Sequence, residues 1–295
     1  MTNYRGEIAA LSTAILWAIA TVIYGRVGIT IAPLILNAIK GILAIASIGL
    51  TIIIFKGEVI PLPLTPMLFL LASGAIGIGL GDTAFFNTLK HLGARRTLLL
   101  ETLAPPLTAL LAAIFLNEQL TLQSWGGIFL TVTGVAWVIT ERSPQNVIAA
   151  RNLKVGVFWG ILAELAQATG AVLSRTALLD TVISPLWSSL LRISAGVAIA
   201  LLLIMLQGRQ GEFLAIQWSW RVLGLLAVAA LIGTHLAIWL QQTGLKYAPA
   251  GVAQTLASTS PLFVLPLAAL QGDRITGRAL GGVCLAIAGI GLLFA

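Results

Sequence analysis

The chain has 295 residues, 58% of them hydrophobic and only 9% charged, with a mean hydropathy of +1.00. A soluble domain carries about 25% charged residues, so a water-bathed globule is excluded and the chain reads as an integral membrane protein of the cell membrane. Its formal charge of +7 lies in short loops between apolar runs, which points to topogenic charge and lipid headgroups and away from nucleic acid.

Apolar runs of about 20 residues cross a bilayer as helices. Ten follow in order, over 7–25, 32–55, 67–89, 97–116, 122–140, 155–174, 183–206, 222–245, 250–270 and 276–294. The first ends at Tyr24-Gly25-Arg26 with no small-residue cleavage site, so it is expected to stay as a span and not to be removed as a signal peptide. Loops are short except for the polar stretch from Glu141 to Lys154. That stretch divides the chain into residues 1–141, a linker over 142–154, and residues 155–295, with five spans on each side. The single cysteine, Cys284, lies inside the last apolar run and makes no internal disulfide.

The two parts repeat each other. Leu89-Lys90 is answered by Leu245-Lys246 and Pro105 by Pro261, both 156 positions on. Gly126-Gly127 is answered by Gly281-Gly282 and Gly134 by Gly289, both 155 positions on. An internal repeat of half the chain is a duplication. Because five is odd, the two copies must enter the membrane from opposite sides. The expected fold is therefore all-α, with ten transmembrane helices in two inverted five-helix repeats. Secondary transporters built this way place the substrate at the repeat interface near the bilayer midplane.

Loop charge gives an orientation. Arg26, Lys90, Arg95, Arg96, Arg142, Arg151, Lys154, Arg209, Arg221, Arg274 and Arg278 fall on one side; Arg5, Lys56, Arg175 and Lys246 fall on the side of the termini. The positive-inside rule then puts both termini outside.

The segment G-L-G-D-T-A-F-F-N-T-L-K-H-L-G-A-R-R over 79–96 resembles the drug/metabolite transporter superfamily, specifically its EamA-type members. So do Pro105 followed by F-L-N-E-Q-L-T over 115–121, the W-G-G…G last helix of the first half, and the echoes at Leu245-Lys246, Pro261, Asp273 and Gly281…Gly289. Lys40 in N-A-I-K-G and Arg192 in S-L-L-R-I-S fit the same pattern. The resemblance covers nearly the whole chain. It implies a permease in which helices 1–4 and 6–9 shape a central cavity and helices 5 and 10 brace it. It also implies cytoplasmic termini, opposite to the loop-charge reading.

Charges inside a span are expensive and functional by default. Lys40 lies eight residues past Ala32, about 12 Å along its helix. Arg192 lies at similar depth in the seventh span. The two are pseudo-symmetry mates, read either as cationic anchors for a substrate carboxylate or as salt-bridge struts. Glu101 sits one turn before Pro105, whose ring frees a carbonyl four residues back; it reads as a proton-titrating or amine-binding carboxylate beside a hinge, or as a structural partner of Lys40, His235 or Arg192. Its counterpart Ala257 carries no acid. Glu164, with Gln167 one turn on, makes a polar stripe. Asp82 reads as a bond within the bundle, and His235 as a helix contact or a proton shuttle. Gln241, Gln242 and Gln254 face either a wet cavity or a neighbouring helix. Trp17 and Trp239 are candidates for the cavity wall, and Pro105 and Pro261 for hinges. Glu118 and Asp273 read as helix caps or loop salt bridges. Gly77 and Gly81, like the glycines of the two end helices, read as places of close helix approach.

No Walker loop, metal-ligand set or Ser-His-Asp arrangement is present in the sequence, so no enzyme activity and no cofactor are expected. The function expected is alternating-access transport of a small polar metabolite, an amino acid or similar zwitterion moved outward, with proton coupling as its drive and a monomer as its working unit. Multidrug efflux of hydrophobic cations and a non-transporting membrane scaffold are the alternatives.

Overall fold

A computed structural model describes residues 4–27, 31–55, 63–92, 97, 100–140, 152–216, 218–263 and 277–294. Among these, every regular element is helical. The main helices are α1 (Arg5–Val27), α2 (Pro33–Ile54), α3 (Leu64–Leu92), α4 (Ala104–Phe115), α5 (Leu122–Thr140), α6 (Leu153–Leu178), α7 (Pro185–Leu206), α8 (Trp220–Tyr247), α9 (Ala250–Ala257) and α10 (Gly277–Phe294). Seven of them, α1 to α3, α6 to α8 and α10, are long and apolar enough to cross a membrane. The spans expected over 97–116 and 250–270 reach beyond the described residues, as do Asp273 and most of the linker.

Local sequence explains the helix starts. α2 and α7 are each 22 residues long and open on Pro33 and Pro185, which stand 152 positions apart. Proline's fixed φ suits the first turn, where its missing N–H removes nothing. Ser184 caps α7 by accepting from the Trp187 N–H at 3.3 Å, and Asn152 caps α6 through Val155 N–H at 3.3 Å.

Glycine sets the pairing. In α5 and α10, Gly127 faces Gly289 and Leu293, while Gly134 faces Gly282 and Ala286. The two helices therefore run antiparallel. Gly127 and Gly282 are repeat mates, and so are Gly134 and Gly289; exchanging mates turns one contact into the other. The same holds elsewhere. Gly6 of α1 lies against Tyr247 and Ala248 at the end of α8, and Gly156 of α6 against His91 and Leu92 at the end of α3. The glycines stand 150 positions apart and their partners 156. Each of these contacts between halves has its counterpart with the roles reversed, the relation expected of a two-fold axis running across the helices.

α3 widens into π-helical turns over Gly74–Asp82, and α8 does so over Ala230–Leu236. The two stretches begin 156 positions apart. A π turn sets an extra residue into the helix and often accompanies a functional site. Here it lets glycines point to two neighbours at once: Gly77 and Gly81 meet α6 at Gly170 and Ala166, while Gly74 and Gly79 meet α7 at Arg192 and Ile199. Ser73 ties the same seam by donating to Gly170 O at 2.6 Å and sharing a hydrogen bond with Ser174 at 2.9 Å.

A β-carbon at Gly134 would lie 2.6 Å from Gly282 O, and one at Gly289 2.8 Å from Gly127 O. We expect Gly134→Ala and Gly289→Ala each to destabilise the detergent-solubilised protein by about 1–3 kcal/mol, the usual range for overpacking. Gly126→Ala and Gly281→Ala, which meet nothing within 4 Å, should leave the melting temperature unchanged or slightly raised. Thermal unfolding of the four variants makes the comparison.

Candidate functional site

The fold brings the polar interior together where the two halves meet. A small cavity of about 50 Å³ lies between α1, α3, α6, α7, α8 and the segments around α4 and α9. Three repeat-mate pairs line it: Trp17 with Gln167, Asp82 with Ile238, and Glu101 with Ala257. The cavity therefore straddles the relation between the halves, and each pair sets unlike chemistries on its two sides.

Asp82 does not stand alone. Lys40 Nζ lies 2.5 Å from Asp82 Oδ2, and both side chains are buried. The rings of Phe86, Trp17 and Tyr24 surround the ammonium at 5.1, 5.8 and 5.9 Å from their centroids, a cation–π environment. One turn before Lys40, Asn37 donates to Ile78 O at 2.9 Å and to Thr83 Oγ1 at 3.1 Å. α2 thus grips the π turns of α3 at two successive places. Lys40 is fully occupied by this work.

Its mate is not. Arg192 is 2% exposed and lines the cavity, yet its Nε and Nη1 have no hydrogen-bond partner. The reason is in the repeat: the position matching Asp82 is Ile238. The second half has kept the buried cation and replaced its carboxylate with an alkyl group.

Glu101 lines the same cavity with Oε2 unpartnered. It sits at a break in the helix, since Leu103 N–H turns back to Leu100 O at 2.9 Å before α4 proceeds through Pro105. The corresponding break follows α9, where Ser258 and Thr259 form a turn ahead of Pro261. Pro105 and Pro261 are thus at matched interruptions. Glu164 is buried with Oε2 unpartnered, one turn from Gln167. Of the three glutamines, Gln241 and Gln254 face the cavity, whereas Gln242 accepts from Ser188 Oγ at 2.7 Å between helices.

Lys40, Glu164, His235 and Trp239 lie apart from the lining. His235 is buried in the π turns of α8, with Nδ1 3.0 Å from Ser47 Oγ. Its mate Gly79 packs on Ile199, the mate of Ser47, so His235 occupies an ordinary helix contact of the repeat. Trp239 is half-buried, and its carbonyl accepts from Thr243 at 2.9 Å.

The end nearest the termini is clasped. Asn117, at φ +53°, takes the left-handed turn that asparagine tolerates after a helix. That reversal aims Glu118 back into the protein. Arg175 Nε donates to Glu118 Oε1 at 2.6 Å, and Arg175 Nη1 donates to the carbonyls of Leu245 and Lys246, both at 2.8 Å. Glu118 Oε2 accepts from Ala250 N–H at 2.8 Å, at the start of α9. Thr121 then caps α5 by accepting from Ser124 N–H at 3.1 Å. The stretch F-L-N-E-Q-L-T is therefore a turn, a clasp and a cap in sequence. Its basic partner, 57 positions away, carries no signal that a sequence could show.

On the opposite side a groove of about 720 Å³ opens between α2, α3, α6 and α7, walled by Ile76, Leu80, Leu162 and Leu165 and rimmed by Lys90 and Arg209. Arg209 holds Glu212 at 2.7 and 2.9 Å. That hydrogen bond, helped by nearby Lys90, keeps the Glu212 carboxyl below the ordinary carboxylate range. Among the described residues no three His, Cys, Asp or Glu side chains converge as a metal site would need.

A family model described as the EamA-like transporter family matches residues 4–140 and again residues 154–295. No curated protein matches. One solved structure, described only as the crystal structure of a protein, aligns over 99% of this chain and 96% of its own, with a TM-score of 0.80 at 15% identity. At that identity the likeness carries the fold alone.

The buried ion pair makes its own prediction. Removing one partner of such a pair strands the other charge and typically costs 3–5 kcal/mol, whereas replacing both with apolar groups is close to neutral. Lys40→Met should therefore lower stability by about that much, and the double variant Lys40→Met/Asp82→Leu should recover most of it. Melting temperatures of the two variants in one detergent decide it.

Proposed function

The chain belongs to the EamA-like transporter family and is a membrane transporter of the drug/metabolite type; from that premise we propose that it exports a small zwitterion, an amino acid or a close relative, across the cell membrane by alternating access. Ten spans in two inverted halves are the architecture proposed. The antiparallel pairing of repeat mates in α5 and α10 supports inversion.

The observation that carries the substrate class is Arg192. A guanidinium in a membrane interior needs a counter-charge, and its repeat supplies isoleucine where the other half has aspartate. Asp82, engaged by Lys40, and Glu101 share the cavity, but Nε and Nη1 of Arg192 have no hydrogen-bond partner, and a substrate carboxylate would fill that place. It would accept from Nε and Nη1, and a planar fork of donors favours such an acceptor. Gln241 and Gln254 would meet the remaining polar atoms, and Trp17 the apolar side chain. A hydrophobic cation would have to sit against Arg192, so drug efflux fits this cavity poorly.

A space of about 50 Å³ is far below the roughly 300–1,000 Å³ of a loaded ligand pocket. Loading therefore requires the helices to part. The matched breaks near Pro105 and Pro261 are where α4 and α9 would pivot. The Glu118–Arg175 clasp would have to release for the terminus side to open.

An amino-acid screen on the purified protein, read as thermal stabilisation and as uptake into proteoliposomes, identifies the ligand. Charge-assisted hydrogen bonds are worth about 2–3 kcal/mol here, so Arg192→Gln should weaken binding by about 30- to 100-fold. The decarboxylated analogue should bind wild type and variant equally poorly. Unchanged affinity in Arg192→Gln at normal folding would overturn the assignment.

A further inference from the structure

We propose that the groove between α2, α3, α6 and α7 is a binding site for one anionic phospholipid, which lays an acyl chain along the groove and sets its phosphate at Lys90 and Arg209. No residue of the groove lines the central cavity, so the site stands whatever the transported substrate is.

The walls point to a hydrocarbon chain. On α6, Phe158, Ile161, Leu162 and Leu165 are all exposed, and their spacing puts them on one face of the helix. Leu162 and Leu165 line the groove, as does exposed Leu80 of α3. In a bilayer that face meets lipid, so the groove opens sideways into the acyl region. Two polar side chains that line it are already engaged: Thr83 Oγ1 donates to Gly79 O at 2.7 Å, and Asn87 Nδ2 donates to Thr83 O at 2.8 Å. The volume of about 720 Å³ falls inside the roughly 300–1,000 Å³ of ligand sites. Lys90 and Ile76 mark its ends on α3, roughly 21 Å apart at about 1.5 Å per residue. One leaflet's hydrocarbon is about 15 Å deep. A single chain therefore fits along the groove with its headgroup left at Lys90.

The mouth points to an anion. Lys90 is exposed near the end of α3, and its side chain makes no hydrogen bond among the described residues. Its repeat mate Lys246 instead donates to the carbonyls of Thr181 and Ile183, at 3.0 and 2.6 Å. Arg209 is held at the rim by Glu212, through Nε at 2.7 Å and Nη2 at 2.9 Å. Two cations and one carboxylate leave a single net positive charge, matched to one phosphate. Trp218 and Trp220, at the start of α8 and on the same side as the end of α7, are exposed, and tryptophan is enriched at the headgroup level. The mouth thus lies where headgroups are, and the walls where chains are. A zwitterionic lipid would bring its own cation to Lys90; an anionic one brings none. Basic residues at the membrane surface favour anionic lipid for that reason.

Native mass spectrometry of the purified, delipidated protein with dioleoyl phosphatidylglycerol or dioleoyl phosphatidylcholine tests the site. One phosphatidylglycerol should bind per chain, more tightly than phosphatidylcholine. The preference should fall about fivefold in Lys90→Gln, the share of one basic residue. It should be unchanged in Arg278→Gln, which removes an exposed cation of α10. Leu162→Trp/Leu165→Trp, which fills the groove from lipid-facing positions, should lose the bound phosphatidylglycerol and keep the wild-type melting temperature in lipid-free detergent. Where that double variant fails to fold, Lys90→Gln alone decides. Equal affinity for the two lipids in wild type, an equal loss in Arg278→Gln, or a preference untouched by Lys90→Gln overturns the proposal. So does displacement of phosphatidylglycerol by inorganic phosphate or by oleate at equal concentration, since the site would then read only one end of the lipid.

Discussion

A charge inside a membrane protein has to be cancelled by something, and this molecule cancels its two deepest cations in different ways. Lys40 is answered within the protein, by Asp82 and a ring of aromatic faces. Arg192, at the equivalent place in the other half, has Ile238 where the repeat of Asp82 falls, and shares the cavity with Asp82 and Glu101. Placing an unpartnered arginine at the centre of a span costs about 3 kcal/mol on insertion scales. A penalty of that size persists only where the rest of the structure supports it and the site needs it. The first half uses the position as a strut, and the second leaves two guanidinium nitrogens without a hydrogen-bond partner.

The strut matters because the seam it fastens is unusually close. Glycines 74, 77, 79 and 81 allow α3 to touch α6 and α7 nearly backbone to backbone, and the π turns give those contacts two directions. A helix so loosened in its own ladder needs outside bonds. Asn37 takes the Ile78 carbonyl, and Lys40 takes Asp82 a turn later. Close approach and added polar bonds are the usual means of holding helices together where lipid removes the hydrophobic drive. The result is a closely bonded wall of the cavity, which the interrupted helices carrying Glu101 and Ala257 also line.

Much of this was legible in the chain. Apolar run lengths, the echo of Leu89-Lys90 in Leu245-Lys246, and the spaced glycines of the end helices state the helical class and the duplication, because hydropathy and small-residue spacing act locally. The mate relation of Lys40 and Arg192 was legible too, but not their difference, which depends on which residue of a third helix lies opposite. Asp82 lies far along the chain from the cation it holds, as its mate Ile238 does from Arg192. Glu118 read as a cap or a salt bridge, and it serves as both, yet Arg175 had no reason to be singled out. The π turns escaped entirely. They arise from contacts between α3, α6 and α7, and a glycine-rich run is equally compatible with an unbroken α-helix.

Symmetry and its breaking then act on the same few residues. If the halves were chemically identical, the two arrangements reached by exchanging their conformations would be equal in energy, and no direction would be favoured. Trp17 against Gln167, Asp82 against Ile238 and Glu101 against Ala257 remove that equality at the cavity. A ligand shifts such an equilibrium only by as much as it prefers one arrangement over the other. Unlike groups on the two sides of the cavity are what make such a preference possible. The end helices α5 and α10, where glycine meets glycine in both directions, keep the symmetry of the repeat. Symmetry is kept where the end helices meet and broken at the lining and around His235 and Ser47.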